Sequence, residues 1–209
     1  MPLSDIAPLI YLASQSPRRR QLLEQLGVVH ATLLPGADED AEALEHPLPG
    51  ELPDDYVRRV TTAKLGAALE RRRRRGLPVL PILCSDTTVA VDDQMLAKPA
   101  DADDALRMLS LLSGRTHRVL TAVSLAWRDG EAQRSAQAVS VSQVRFAAIP
   151  RAALERYVAS GEPTGKAGAY AIQSQLAGWI EHIEGSYSGI MGLPLFETAQ
   201  LLRGAGIDC

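Results

Sequence analysis

The sequence predicts an α/β fold with a central mixed, twisted sheet flanked by helices, and three observations carry that prediction. Strand-like apolar runs alternate with amphipathic helical segments through the first half of the chain. Two long β-rich segments, residues 119–127 and 136–146, are joined by the turn Arg128-Asp129-Gly130, so part of the sheet is antiparallel. The chain has 209 residues and 46% hydrophobic content, enough for one core or for two lobes around a cleft.

Taken in order, residues 9–13 form a short apolar strand. Ser16 then caps a helix that Pro17 opens, with Leu22, Leu23 and Leu26 on its apolar face and Gly27 as its stop. A second short strand at 31–34 ends in the turn Pro35-Gly36-Ala37-Asp38-Glu39. Residues 40–53 are acidic and proline-rich and predict a loop. Residues 53–75 predict a long helix ending in Arg71-Arg72-Arg73-Arg74-Arg75-Gly76. Two β segments, 78–82 and 87–91, flank Cys84-Ser85-Asp86, and Asp92-Asp93 turns the chain back through Met95-Leu96-Ala97. Helices follow at 101–112, 150–159 and 194–202, with an irregular glycine-rich stretch at 165–192. In Val139-Ser140-Val141-Ser142-Gln143-Val144, polar and apolar residues alternate, which predicts one solvated face.

Two charge patterns stand out. Arg18, Arg19 and Arg20 fill the first turn of a helix, the positive end of its dipole, where acidic side chains are the stabilising ones. An anion would remove the conflict. Free helix N–H groups, the Ser14 and Ser16 hydroxyls and a guanidinium fork make a phosphate site. Arg71 to Arg75 instead occupy the end of a helix, where cations favour the dipole, and predict a solvated helix end.

Asp86 interrupts an apolar strand, where a carboxylate is costly unless it is paired, holds a metal or moves a proton; capping of the strand end by Thr87 or Thr88 is the structural alternative. Lys98 follows the return from Asp86, and Lys64 sits among the apolar positions of its helix. For either lysine a snorkelling surface side chain is the plain alternative. Asp38 and Glu39 offer hard oxygens to Mg²⁺ or Mn²⁺. Gly161-Glu162-Pro163-Thr164-Gly165-Lys166-Ala167 fails as a P-loop, with one residue too few between its glycines and alanine at the metal-binding position. The four histidines lack zinc spacing, and no Gly-x-Ser-x-Gly elbow is present.

A net charge of −3 argues against a nucleic-acid partner. Two cysteines make no disulfide framework, no apolar run approaches the about 18 residues needed to span a bilayer, and Met1-Pro2-Leu3-Ser4-Asp5 lacks the features of a leader. A cytoplasmic protein without membrane contact is expected.

Leu12-Ala13-Ser14-Gln15-Ser16-Pro17-Arg18-Arg19, Ser85-Asp86-Thr87, Leu96-Ala97-Lys98-Pro99 and Leu112-Ser113-Gly114-Arg115-Thr116-His117 resemble the motifs of the Maf family of nucleotide pyrophosphatases. So do residues 166–173 and 183–194, in the family's order and over nearly the whole chain. The resemblance implies a single domain over residues 1–209 with two lobes, similar to the inosine triphosphate pyrophosphatase fold. It implies metal-dependent hydrolysis of a nucleoside triphosphate to monophosphate and pyrophosphate, for pool cleansing or in connection with division arrest. It puts Asp86 at the catalytic base, Arg18, Thr87 and Gln173 at base selection, and Ser14, Arg19, Glu39, Lys64 and Lys98 at polar positions of the same cleft. A divalent metal, Mg²⁺ or Mn²⁺, would fall to Glu39 and Asp86.

The segments at 168–173 and 185–188 resemble the dTTP/UTP branch. A 7-methyl-GTP pyrophosphatase and a non-catalytic nucleotide-binding regulator of septum formation are the alternatives, and a homodimer stays open. Two departures are notable. Cys84-Ser85 stand where the family usually has Gly-Ala, and Gly165 stands where it often has an acid before Lys166. If that acid holds the metal or orients the lysine, activity or substrate range should differ here.

Overall fold

The computed structural model describes residues 9–209; Met1 to Asp5, where no leader is expected, lie outside the described residues. Strand β1 (Ile10–Leu12), helix α1 (Pro17–Gln25) and strand β2 (His30–Thr32) make a parallel unit, followed after a loop by the 22-residue helix α2 (Pro53–Arg74). Strand β3 (Ile82–Val91) turns through Asp92 and Asp93, both at positive φ, into β4 (Gln94–Leu96). That pair of left-handed residues is what a two-residue hairpin turn of matching twist requires. Helix α3 (Ala102–Leu112) leads to the long hairpin of β5 (Thr116–Asp129) and β6 (Ala132–Phe146). Helix α4 (Arg151–Ala159), strand β7 (Ile180–Glu184), the short helix α5 (Tyr187–Met191) and helix α6 (Leu195–Gly204) complete the chain.

The expected mixed sheet is present, seven strands in the order β2-β1-β3-β5-β6-β7 with β4 beside β3. β1 runs parallel to β2 and β3, and the other pairings are antiparallel. Period-two alternation along β3 and β5 divides the packing. Leu83, Val123 and Leu125 meet α1 and α6 on one face. Ile82, Cys84, Ala90, Leu120 and Ala122 meet α2 on the other. A separate core of Val89, Leu109, Phe146, Leu154, Tyr157 and Ile172 fills the far end of the sheet beneath α3 and α4.

Several elements differ from the sequence expectation. Residues 78–81 are not strand, and β3 runs unbroken through Cys84-Ser85-Asp86, because β5 pairs with every residue from Ile82 to Ala90. The stretch 165–192 holds β7, which pairs with distant β6, and α5, which packs against β5, β6 and α1. The alternation in β6 is inverted: Ser140 and Ser142 are buried and Val141 is 47% exposed. Ser142 Oγ accepts from Ser186 N at 2.9 Å, and Gly189 lies close over Ser140, so the segment before α5 turns these serines inward.

β1 covers one edge of β3 at Ile82 and Leu83, and β4 covers the same edge again from Val89 to Val91. Among the described residues, no strand pairs with Cys84 to Thr88 on that side. The cavity described next opens at this gap.

Candidate active site

A cavity of about 650 Å³ lies at the open edge of β3, within the range of small-molecule sites. Ser14, Arg18, Arg19, Lys64, Asp86, Thr87, Lys98 and Gln173, which the sequence singles out, all line it. Glu39 does not. Lys166, Tyr170, Glu42 and Glu45 line it as well.

The wall built by α1 comes from local sequence. Ser16 caps the helix, its Oγ accepting from Arg19 N at 3.4 Å, and Ser14 Oγ accepts from Ser16 N at 3.2 Å. Among the arginines only Arg20 is exposed. Arg19 lies along the strand end: Nε donates to Gly192 O at 2.7 Å, Nη1 to Ser14 Oγ at 3.4 Å and Nη2 to Thr87 Oγ1 at 3.2 Å. Gly192 caps α5 at φ 118, and a Cβ there would sit 3.3 Å from Arg19 Nε, so both the backbone conformation and the close approach call for glycine.

Thr121 Oγ1 donates to Gly189 O at 2.7 Å, so the 2.9 Å contact between Thr121 and Thr87 takes the Thr87 proton. Thr87 is therefore left with lone pairs toward Arg19 and the cavity. Burial lowers the pKa of Arg19, and the Asp86 and Glu45 charges act in the opposite sense. Arg18 has a buried Nε without a partner among the described residues, and no carboxylate lies within salt-bridge distance of Arg18 or Arg19 there.

The opposite wall is built on α2 and holds the carboxylates. Asp86, 6% exposed, points from β3 toward α2, and Lys64 Nζ is 2.5 Å from its Oδ1. The same ammonium is 2.6 Å from Glu45 Oε1, and Lys98 Nζ is 2.7 Å from Glu45 Oε2. Lys98, expected near Asp86, thus reaches it only through two intervening residues, Glu45 and Lys64. Burial pushes the Glu45 carboxyl up, but the two lysines outweigh it and the net shift is downward. Glu45 ends a 3-10 turn, Ala43–Glu45, in the loop before α2. Sequence reasoning missed it, since nothing local separates it from the other acids of that loop.

Glu39 sits behind this wall. Arg71, 4% exposed, donates from Nε and Nη2 to Glu39 at 2.6 to 3.0 Å and from Nη1 to Leu33 O at 3.0 Å. Arg74 adds a contact at 2.9 Å. The Arg71 hydrogen bonds hold the Glu39 carboxyl down at about 2. The arginine run at the end of α2 is therefore no uniformly solvated end; its first member is an internal ion-pair residue.

The floor comes from the far core. Tyr170 Oη lies 2.7 Å from His117 Nε2, both buried, and Tyr157 Oη donates to Ser174 Oγ at 3.1 Å. Burial lowers His117 to about 4 and keeps it neutral. A Cβ on Gly168, at φ 65, would fall 2.9 Å from the Val89 side chain, so the segment lies flat on β3. These anchors fix Lys166 and Gln173 on the rim; Gln173 is exposed and its amide has no hydrogen bond among the described residues. Lys166 is lowered by burial and by the Arg18 charge.

Among the described residues no three His, Cys, Asp or Glu side chains gather to hold a metal, and no helix is long and apolar enough to cross a membrane. The family described as Maf-like protein matches residues 9–205. A dTTP/UTP pyrophosphatase of Cupriavidus metallidurans is 62% identical over 199 residues, covering 95% of this chain and 98% of its own. One from Polaromonas is 59% identical over 207 residues, covering 99% of each, and one from Burkholderia mallei is 60% identical over 200 residues, covering 96% and 95%.

Proposed function

The chain belongs to the Maf family, and on that footing we propose that it hydrolyses dTTP and UTP to the monophosphate and pyrophosphate, as its relatives' names state for them. The observation that carries the proposal is one cavity lined by Arg18, Arg19, Lys64 and Lys98 together with a buried carboxylate, Asp86, paired with Lys64. Four cations suit a triphosphate, and a carboxylate with one oxygen on Lys64 keeps the other for a water molecule.

In this reading water attacks the α-phosphorus in line. Its oxygen forms the new bond, its proton passes to Asp86, and the bond from the α-phosphorus to the bridging oxygen breaks to release pyrophosphate. The cations stabilise charge that builds on the phosphoryl oxygens and the leaving group. Arg19 is oriented by Gly192 O, Ser14 and Thr87 before substrate arrives. Gln173 offers a donor and an acceptor that match the carbonyl and N3–H of a pyrimidine imide, with Arg18 and Thr87 completing base selection.

The donor chemistry also fits a divalent cation, Mg²⁺ or Mn²⁺, since such ions are commonly held by one or two carboxylates plus substrate phosphates. Asp86 would hold it. Glu39 would join only by giving up Arg71. When bound, the metal supplies Lewis-acid neutralisation of the phosphate oxygens.

Cys84, buried and unpaired, and Cys209, exposed and unpaired, support a reducing, cytoplasmic setting. The pairing of Arg71, Arg73 and Arg74 with carboxylates supports a protein that does not use this run on nucleic acid. A homodimer is tested by sedimentation.

A panel of triphosphates assayed with Mg²⁺ or Mn²⁺ tests the function. The expected result is turnover of dTTP and UTP above 7-methyl-GTP and the purine triphosphates. Loss of about 10³-fold or more is expected in Asp86→Asn with melting temperature retained; near-normal turnover would remove Asp86 from the chemistry. Gln173→Ala should reduce dTTP and UTP turnover about tenfold more than that of a purine triphosphate, and an equal loss would remove its role in base choice.

A further inference from the structure

Every lysine of the cavity's carboxylate wall is tied to Glu45. Its Oε1 is 2.6 Å from Lys64 Nζ and its Oε2 is 2.7 Å from Lys98 Nζ. Lys64 comes from α2, whereas Lys98 follows β4 at the other end of the sheet, so one carboxylate joins cations carried by separate cores. Glu42, 84% exposed and 3.8 Å from Lys98, is too peripheral to do the same.

Glu45 is not a loosely hung side chain. Tyr56 Oη donates to the Glu45 carbonyl at 2.8 Å, and Arg59 Nη2 donates to the His46 carbonyl at 2.9 Å. Arg59 is itself fixed by Glu51 at 2.5 and 2.8 Å. Two side chains of α2, Tyr56 and Arg59, thus nail the backbone of this turn to the helix, whatever stands at position 45.

We propose that Glu45 is a positioning residue, a carboxylate bridge that holds the Lys64 and Lys98 ammonium groups together beside Asp86 before substrate enters. The proposal rests on the functional reading above. A free lysine side chain has wide rotamer freedom, and two of them converging on one phosphate group must lose it at the moment of reaction unless it is lost beforehand. The bridge does this in the folded chain. It also places a negative charge in a site built for a polyanion, so it opposes ground-state binding while ordering the groups that act in the transition state.

That opposition gives the test its signature. Glu45→Gln keeps the side-chain shape and removes the charge, and the Tyr56 and Arg59 contacts should keep its melting temperature close to that of the wild type. The expected result is a kcat for dTTP lower by about tenfold with a KM no higher than wild type. Inorganic pyrophosphate, titrated calorimetrically without nucleotide, should bind at least as tightly as before, because one negative charge has left an anion site. A structural lesion would raise KM and weaken pyrophosphate together.

A kcat within twofold of wild type, or a raised KM with weakened pyrophosphate binding, overturns the proposal. In a Lys98→Met background the kcat loss from Glu45→Gln should shrink, since one arm of the bridge is already gone; additive losses overturn it too. A wild-type protein that releases no pyrophosphate from dTTP or UTP would sink the functional reading instead. The calorimetric arm would still judge Glu45, with weaker pyrophosphate binding in Glu45→Gln counting against the bridge.

Discussion

Arginine clusters mark two places on this chain, the first turn of α1 and the last turns of α2, and their fates differ. Each contributes one deeply placed guanidinium, Arg19 in the first and Arg71 in the second. Arg71 and its neighbours meet carboxylates: Glu39, Asp38 and Glu70 are all within 2.6 to 3.0 Å of an arginine nitrogen. Arg19 meets a carbonyl and two hydroxyls, and Arg18 leaves a buried Nε without a partner among the described residues. A run of cations that fits its helix dipole finds internal acids and becomes structure. A run that opposes its dipole and is left without acids keeps its charge for something outside the chain. The partner, not the count of arginines, separates a scaffold from a site.

Substitution at the two deep arginines should break the comparison if it is wrong. Arg71→Ala leaves Leu33 O without its donor and Glu39 with only the outer Arg74 and Arg75, so the loss should approach the about 3 kcal/mol at the lower end for a broken buried pair, read as a large drop in melting temperature. Arg19→Ala strands no carboxylate, and Gly192 O still lies 2.9 Å from Ser85 Oγ, whose one proton it shares with Ala122 O. Its main effect should be on turnover, with kcat/KM for dTTP lower by about 100-fold and a smaller loss of stability. Equal melting losses with unchanged turnover in Arg19→Ala would erase the distinction.

Acid sharpens the same contrast. Glu39 is held at about 2 against an ordinary 4.5 by its hydrogen bonds from Arg71. A depressed folded-state value means that its stabilisation is complete above 4.5 and is lost as pH falls toward 2. The fall in melting temperature through that window should flatten in Arg71→Ala and persist in Arg19→Ala. His117, neutral and lowered to about 4, adds a loss that begins higher, as pH falls below 6.5. It is common to both variants and cancels between them. A slope unchanged by Arg71→Ala would detach Glu39 from the stability of α2.

The smallest effects belong to the outer arginines. Arg73→Gln touches a surface pair with Glu70, the arginine side chain 77% exposed, and should leave the melting temperature unchanged. Arg18→Gln should leave the melting temperature near wild type yet raise the KM for dTTP about tenfold. A KM that stays put would return Arg18 to ordinary surface chemistry.

What could be seen in advance was what local chemistry specifies. Ser16-Pro17 starts α1, Pro53 and the closing arginines bound α2, and Asp92-Asp93 turns β3 into β4, each through propensities of adjacent residues. Asp86 and Lys64 were legible because each is a charge set among apolar neighbours. Glu45 was not, since Glu42, Glu51 and Asp40 share its loop and only the distant Lys64 and Lys98 single it out. Glu39 looked like a metal carboxylate because its partner, Arg71, lies 32 positions away. β7 and the inward serines of β6 escaped for the same reason: their pairing is with each other's neighbourhoods across the sheet.

The gap between β1 and β4 along β3 has one last consequence. Because that edge is bare from Cys84 to Thr88, residues on both faces of the strand open into one chamber, Asp86 toward α2 and Thr87 toward α1. Parity along the strand thus assigns each residue its task. A single inserted or deleted residue upstream of Asp86, harmless in many loops, would exchange acid for hydroxyl between the two walls. Any redesign of this chamber inherits the phase of one strand.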